Sequence, residues 1–225
     1  MDTQALWLTL RLAATTTGIL MVFAVPIAWW IASGSGFGRA LTQAVVALPL
    51  VLPPTVLGFY LLVMMGPLTA PGRLLIRLLG HPLAFSFAGL VVGSIVYSLP
   101  FAVQPLVAGF RSIGVEYAEA AAGLGISPWR AFGRVVLPMA QGSLLAAAVL
   151  TFTHTVGEFG VVLMLGGNIP GVTRTISIAL FDQVEDAQYG AANHTALLLV
   201  AGAIAALVLV YAGLHARAGG RRHVI

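Results

Sequence analysis

The chain has 225 residues, of which 59% are hydrophobic and 8% charged, against about 25% charged in a soluble domain. So short a chain cannot hide that much apolar surface in a core of its own, so a lipid bilayer must cover it. The net charge of +4 comes from arginine alone. With no lysine, the chain has no P-loop, Schiff-base or catalytic lysine. With no cysteine, it has neither disulfides nor thiolate metal sites. The arginines are scattered and build no basic helix face, which excludes nucleic acid as a partner.

Five apolar stretches are long enough to span, at 12–32, 42–65, 83–110, 136–157 and 195–214. Each approaches or exceeds the ~20 residues that cross a hydrocarbon core. In lipid they must be helical, because every backbone donor needs an internal acceptor. The first is longer than the apolar part of a signal peptide and is read as a retained span. A short re-entrant or extra helix between 171 and 192 would raise the count to six. The second stretch carries Pro49, Pro53 and Pro54, and the third carries Pro100 and Pro105. Prolines remove backbone hydrogen bonds and bend a helix. Two readings stand: membrane helices hold more proline in general, or these bends line a path and let helices rock. The Gly89-x-x-x-Gly93 pair reads as close helix packing.

Between the third and fourth spans, residues 113–138 build an elbow of two short helices. The stretch 115–124 is alanine-rich. Gly125 supplies the left-handed residue that ends such a helix. Ser127 is placed to cap the next, with Pro128 at its first position, and that helix runs through Arg134 until Pro138 opens the fourth span. Ala118, Ala121, Ala122 and Gly125 share one face at helical spacing. A face of such small side chains suits insertion into a groove on a partner. Glu119 beside it either pairs with a partner base, orders the elbow, or is a solvated charge.

The stretch resembles the signature of ABC-importer permeases: Glu119-Ala120-Ala121, three residues, Gly125, nine residues, Val135 where isoleucine is usual, one residue, then Leu137-Pro138. The resemblance implies an all-α integral membrane protein of the type I importer permease fold, its permease domain at 8–214 followed by a basic cytoplasmic tail at 215–225. It implies that Glu119, Ala120, Ala121, Gly125, Leu137 and Pro138 couple the chain to a cytoplasmic ABC ATPase present in two copies. It further implies a second permease copy, an extracytoplasmic oxyanion-binding protein, no cofactor, and alternating access. With the elbow in the cytoplasm, Arg39, Arg111, Arg130, Arg134, Arg217, Arg221 and Arg222 lie inside. Arg11, Arg73, Arg77 and Arg174 lie outside, with Asp182, Glu185 and Asp186. Seven against four follows the positive-inside rule. The expected topology is N-terminus out and C-terminus in, in a bacterial inner membrane.

Other stretches narrow the family. The proline-bearing run at 47–60, Tyr97-Ser98-Leu99-Pro100-Phe101, Gly157-Glu158-Phe159-Gly160, and Gly166-Gly167-Asn168-Ile169-Pro170-Gly171 leading into Thr173-Arg174-Thr175 resemble permeases of molybdate importers. Sulfate and thiosulfate permeases are close relatives, and the residue chemistry separates none of these tetrahedral dianions. No span holds an arginine at its centre, which favours conduction without tight capture. The candidate path and gate residues are Pro53, Pro54, Pro100 and Glu158. His154 and Glu158 are four apart and ionisable, hence functional candidates inside a membrane. They could hydrogen-bond, hold a metal or serve an intramembrane enzyme. Two ligands do not make a zinc site, and no catalytic motif accompanies them. Arg174 and the nearby acids either meet a partner or are solvated loop charges.

Overall fold

The computed structural model describes residues 2–113, 123 and 125–220, with side chains described as far as residue 212. Helix α1 (Thr3–Ala32) opens at Asp2, whose side chain accepts the Ala5 N–H at 2.9 Å. Its 30 residues give about 45 Å of helix, more than the ~30 Å hydrocarbon core. Next come α2 (Phe37–Val51), α3 (Pro54–Met65), α4 (Ala70–Leu79) and α5 (Phe87–Ile113). In the second half of the elbow, α6 (Pro128–Ala131) widens into a π-helical turn (Phe132–Val136) and closes in α7 (Leu137–Met139). The chain ends with α8 (Gln141–Gly157), α9 (Gly160–Gly166), α10 (Ile176–Glu185) and α11 (Tyr189–Gly220).

Among the described residues three helices, α1, α5 and α11, are long and apolar enough to span, or five if each bent pair is one span. The stretch 42–65, expected as a single span, is the pair α2–α3, which turns by 111° at its break. Pro53 and Pro54 offer no N–H to the preceding turn, so α2 stops at Val51 and α3 restarts with proline at its first position. The fourth span starts at Gln141 rather than at Pro138, and the segment before it meets α8 at 72°. Pro138 lacks the donor that would close an α-turn on Arg134, and the Leu137 N–H instead reaches back five residues to the Phe132 carbonyl. The expected extra helix exists as α10, but its 10 residues reach only about 15 Å, half a bilayer core. Despite Pro100 and Pro105, α5 runs unbroken.

The buried clusters fix the helix directions. At one end Leu20, Ala24, Ala28 and Ile31 of α1 meet Ala102, Leu106 and Phe110 of α5 and Ala147 of α8. At the other, Leu8 and Leu12 meet Leu90 and Val91, with Val161 and Leu165 of α9. So α1 and α5 run parallel, and α8–α9 returns antiparallel to them. Small residues permit this closeness; Gly109, for instance, leaves room for Ser143. The centre of the bundle is α5. By contrast α11 buries only 11% of its most apolar window and presents the rest outward, as a lipid-facing or partner-facing helix must.

Candidate functional site

Helix α8 ends at Gly157 and α9 begins at Gly160, so Glu158 and Phe159 interrupt what would be a continuous helix. Beside that break lies a hollow of about 510 Å³, lined by Pro54, Thr55, Tyr97, His154, Gly157, Glu158, Phe159 and Gly160. At ~30 Å³ per water, it has room for a small hydrated ion. Its far wall is the start of α3, clasped against α9 by two glycines. A Cβ on Gly160 would come within 2.7 Å of Pro54, and one on Gly58 within 2.8 Å of Met164.

Glu158 is 4% exposed. Ser94 Oγ donates to its Oε2 at 2.9 Å, while Oε1 is buried without a partner among the described residues. His154 Nδ1 lies 2.9 Å from Ser98 Oγ, which in turn lies 3.1 Å from Thr155 Oγ1. The imidazole stacks on Phe101 at 3.9 Å and tilts against Tyr97 at 4.9 Å. His154 and Glu158 thus bond to two different serines of α5 rather than to each other. Among the described residues no third acid or histidine joins them as a metal ligand set.

Of the residues expected to line a path, Pro54 and Glu158 meet in this hollow. Pro53 sits at the exposed α2–α3 corner, and Pro100 is buried inside α5 away from it. Sequence reasoning missed a further feature. Tyr97, Gln104 and Arg111 are seven apart on α5, so they share one face. From Phe101 to Arg111 only Gln104, Ala108 and Arg111 are exposed. Thus the second half of the central helix has one open side, and that side carries Gln104 and Arg111, while Ser94 and Ser98 are buried. Gln104 and Arg111 line a second hollow of about 170 Å³ with Gln43, and Arg111 Nη2 donates to Gln43 Oε1 at 3.2 Å. The signal was available as a heptad of isolated polar residues in an apolar helix.

At the elbow, Glu119, Ala120 and Ala121 lie outside the described residues. Gly125 has φ of 75°, the left-handed conformation expected of it. Ser127 precedes Pro128 in extended conformation, but its side chain makes no cap hydrogen bond, a correction to its expected role. Leu137 and Pro138 lie in α7, before the bend into α8. Phe132 of the π-turn packs on Trp29 at 5.0 Å and on Phe110 at 5.8 Å, which ties the elbow to α1 and α5. Trp129 is 81% exposed on the outer side of the elbow.

At the opposite end, Asn168 Nδ2 donates to both Asp182 oxygens at 3.0 and 3.1 Å, and its Oδ1 accepts Arg174 Nε at 2.8 Å. Arg174 also pairs with Asp182 at 3.4 Å. These three residues close the glycine-rich loop on itself. Glu185 and Asp186 remain exposed.

One hollow beside a helix break, and a second against an exposed polar stripe of the central helix, suit a membrane transport subunit. Comparison with known proteins makes this specific. The chain is 50% identical over 218 residues to a molybdenum transport system permease protein of Azotobacter vinelandii, covering 97% of this chain and 96% of that one. It is 34% identical over 207 residues to the protein of that description from Escherichia coli K12, covering 91% and 90%. Among solved structures, a chain of the inward-facing MetNI methionine ABC transporter matches with a TM-score of 0.71 at 18% identity, covering 96% of this chain and 95% of that one. A chain of a bacterial alginate importer matches at 0.71 and 20% identity, covering 99% and 79%. At those identities the structural likeness establishes the fold, that of type I ABC importer permeases. The chain belongs to the family of inner membrane components of binding-protein-dependent transport systems, whose pattern matches residues 24–221.

Proposed function

We propose that this chain is the permease subunit of an ATP-driven importer that carries molybdate across the bacterial inner membrane by alternating access. The observation that supports the substrate is the 50% identity, over nearly both whole chains, to a molybdenum transport permease. The geometry supports conduction: no arginine lines the hollow at Glu158, so this wall is built to pass a dianion rather than to hold it tightly.

In this reading an extracytoplasmic binding protein supplies affinity, and a separate ATPase, in two copies, supplies energy through the elbow at 113–138. Glu119, Ala120, Ala121 and Gly125 dock in the ATPase, and Leu137-Pro138 passes the movement through the π-turn to α8. Two permease copies enclose one path, each contributing the open face of α5 and the corner at Pro53 and Pro54. Pro100 gives α5 its compliance, and Glu158 holds the break between α8 and α9. The N-terminus faces out and the C-terminus lies in the cytoplasm.

The test is uptake of radioactive molybdate by vesicles containing this chain, its genomic neighbour ATPase and the matching binding protein. ATP-dependent uptake that unlabelled molybdate or tungstate suppresses, and sulfate does not, is the expected result. Suppression by sulfate at equal concentration would reassign the chain to the sulfate-type permeases. Turnover of any small molecule by the purified chain alone would overturn the non-enzymatic reading.

A further inference from the structure

The hydroxyls around His154 fix its tautomer. Thr155 Oγ1 lies 2.9 Å from the Thr151 carbonyl, and a carbonyl only accepts. The single hydroxyl hydrogen of Thr155 is therefore committed there. In the 3.1 Å contact between Ser98 and Thr155, Ser98 must then be the donor, which uses its only hydrogen. At 2.9 Å from His154 Nδ1, Ser98 Oγ has only a lone pair left, so Nδ1 carries the proton. A neutral His154 consequently offers a bare lone pair at Nε2; its hydrogen bond among the described residues is made through Nδ1, and the side chain lines the hollow.

Glu158 presents the same problem to an anion. Ser94 satisfies Oε2, and Oε1 is buried without a partner among the described residues, in a side chain that lines the hollow. Both side chains, as an acceptor and as a carboxylate, would repel an oxyanion. Both become donors on gaining one proton, as N–H at Nε2 and O–H at Oε1. The other residues that line the hollow add Thr55 from α3 and Tyr97 from α5, both able to donate. Tyr97, His154 and Glu158 are its titratable groups, and no arginine is among its lining residues.

We propose that the hollow is the oxyanion contact site of the membrane path, where His154 Nε2 and Glu158 Oε1 each take up a proton and donate to the passing anion. This rests on the transport reading above. The protons come from water on the loading side. They leave with the anion or return to water on the release side, and only N–H and O–H bonds form and break. Ser94 and Ser98 act as positioning residues, turning the free atom of each partner toward the hollow.

The test uses the complete complex of permease, ATPase and binding protein in proteoliposomes, with molybdate uptake measured from about pH 6 to about pH 8.5, a range across which proton availability falls several-hundred-fold. Glu158→Gln keeps an acceptor for Ser94 and places a permanent N–H donor toward the hollow. His154→Gln likewise supplies a donor that does not titrate. Wild-type uptake should fall as pH rises, and the ratio of either variant to wild type should climb several-fold across the range. Glu158→Leu, which has no donor, should lose uptake at every pH while still co-purifying with the ATPase. Any pH dependence of the ATPase itself is shared by all variants and cancels in the ratio. Ratios that stay flat, or uptake by Glu158→Leu at the wild-type level, would overturn the contact site and leave the transport reading standing. Absence of molybdate uptake by the wild-type complex would remove both.

Discussion

Gly125 shows how much a single residue can carry in the elbow. Its φ of 75° is a conformation that costs a residue with a Cβ roughly 1–2 kcal/mol. No described residue lies within 4 Å of the position a Cβ would take, so against these residues the cost of substitution is backbone strain without a clash. Asparagine tolerates this region and β-branched residues do not. Gly125→Asn should therefore retain most of the ATPase stimulation that loaded binding protein produces, and Gly125→Val should lose most of it. Equal behaviour of the two would show that the left-handed turn is not what positions the elbow. The same logic orders the outer loop, where Asn168 at φ 58° holds Asp182 and Arg174. Asn168→Leu removes that bridge and leaves Asp182 and Arg174 with each other alone. It should lower the melting temperature in detergent by a few degrees, equivalent to about 1 kcal/mol.

At the scale of elements, function gathers where helices are interrupted. The clasp of α3 on α9 rests on Gly58 and Gly160, and Gly160→Leu must push Pro54 away, at about 1–3 kcal/mol for an overpacked contact. That variant should assemble yet transport poorly, because the hollow at Glu158 is bounded by the same contact. The π-turn is the other interruption. Phe132→Ala frees it from Trp29 and Phe110, at about 2 kcal/mol, and should leave basal ATP hydrolysis intact while transport falls; uptake at the wild-type rate would show that force does not pass through this aromatic contact. These interruptions also mark what the sequence could and could not reveal. Apolar length located the helices, and Pro53-Pro54 announced the α2–α3 corner, since a missing N–H is a local fact. The break at Glu158 carries no proline; it lies between Gly157 and Gly160, and its contacts come from α3 and α5. The start of α8 at Gln141 departs from the sequence pattern because Pro138 reads as a helix opening, whereas its effect falls on the carbonyl one turn earlier. Hydrogen bonds from Ser94 and Ser98 across more than fifty residues are invisible to any local pattern.

For the molecule as a whole, orientation in the membrane has an electrostatic side. Among the described side chains, Arg39, Arg111, Arg130 and Arg134 gather at the elbow end, and Arg11, Arg73, Arg77 and Arg174 at the other. Four against four gives the positive-inside rule nothing to act on, so the bias counted from the full sequence comes from Arg217, Arg221 and Arg222. The acids are less even. Asp2, Asp182, Glu185 and Asp186 sit with the second group, which brings that end to zero net charge, while Glu116 and Glu119 fall in the elbow stretch and leave it, by sequence, at two positive before the tail arginines are added. The absence of native cysteine makes the orientation directly measurable, because a single introduced thiol is the sole target of a membrane-impermeant maleimide. Leu68 is 91% exposed and Trp129 81%, at opposite ends of the bundle. With the chain expressed without its ATPase, so that nothing covers the elbow, Leu68→Cys should be labelled on intact spheroplasts and Trp129→Cys only after they are permeabilised. The reverse pattern would put the elbow outside, out of reach of any cytoplasmic ATPase, and the coupling role of residues 113–138 would fall with it.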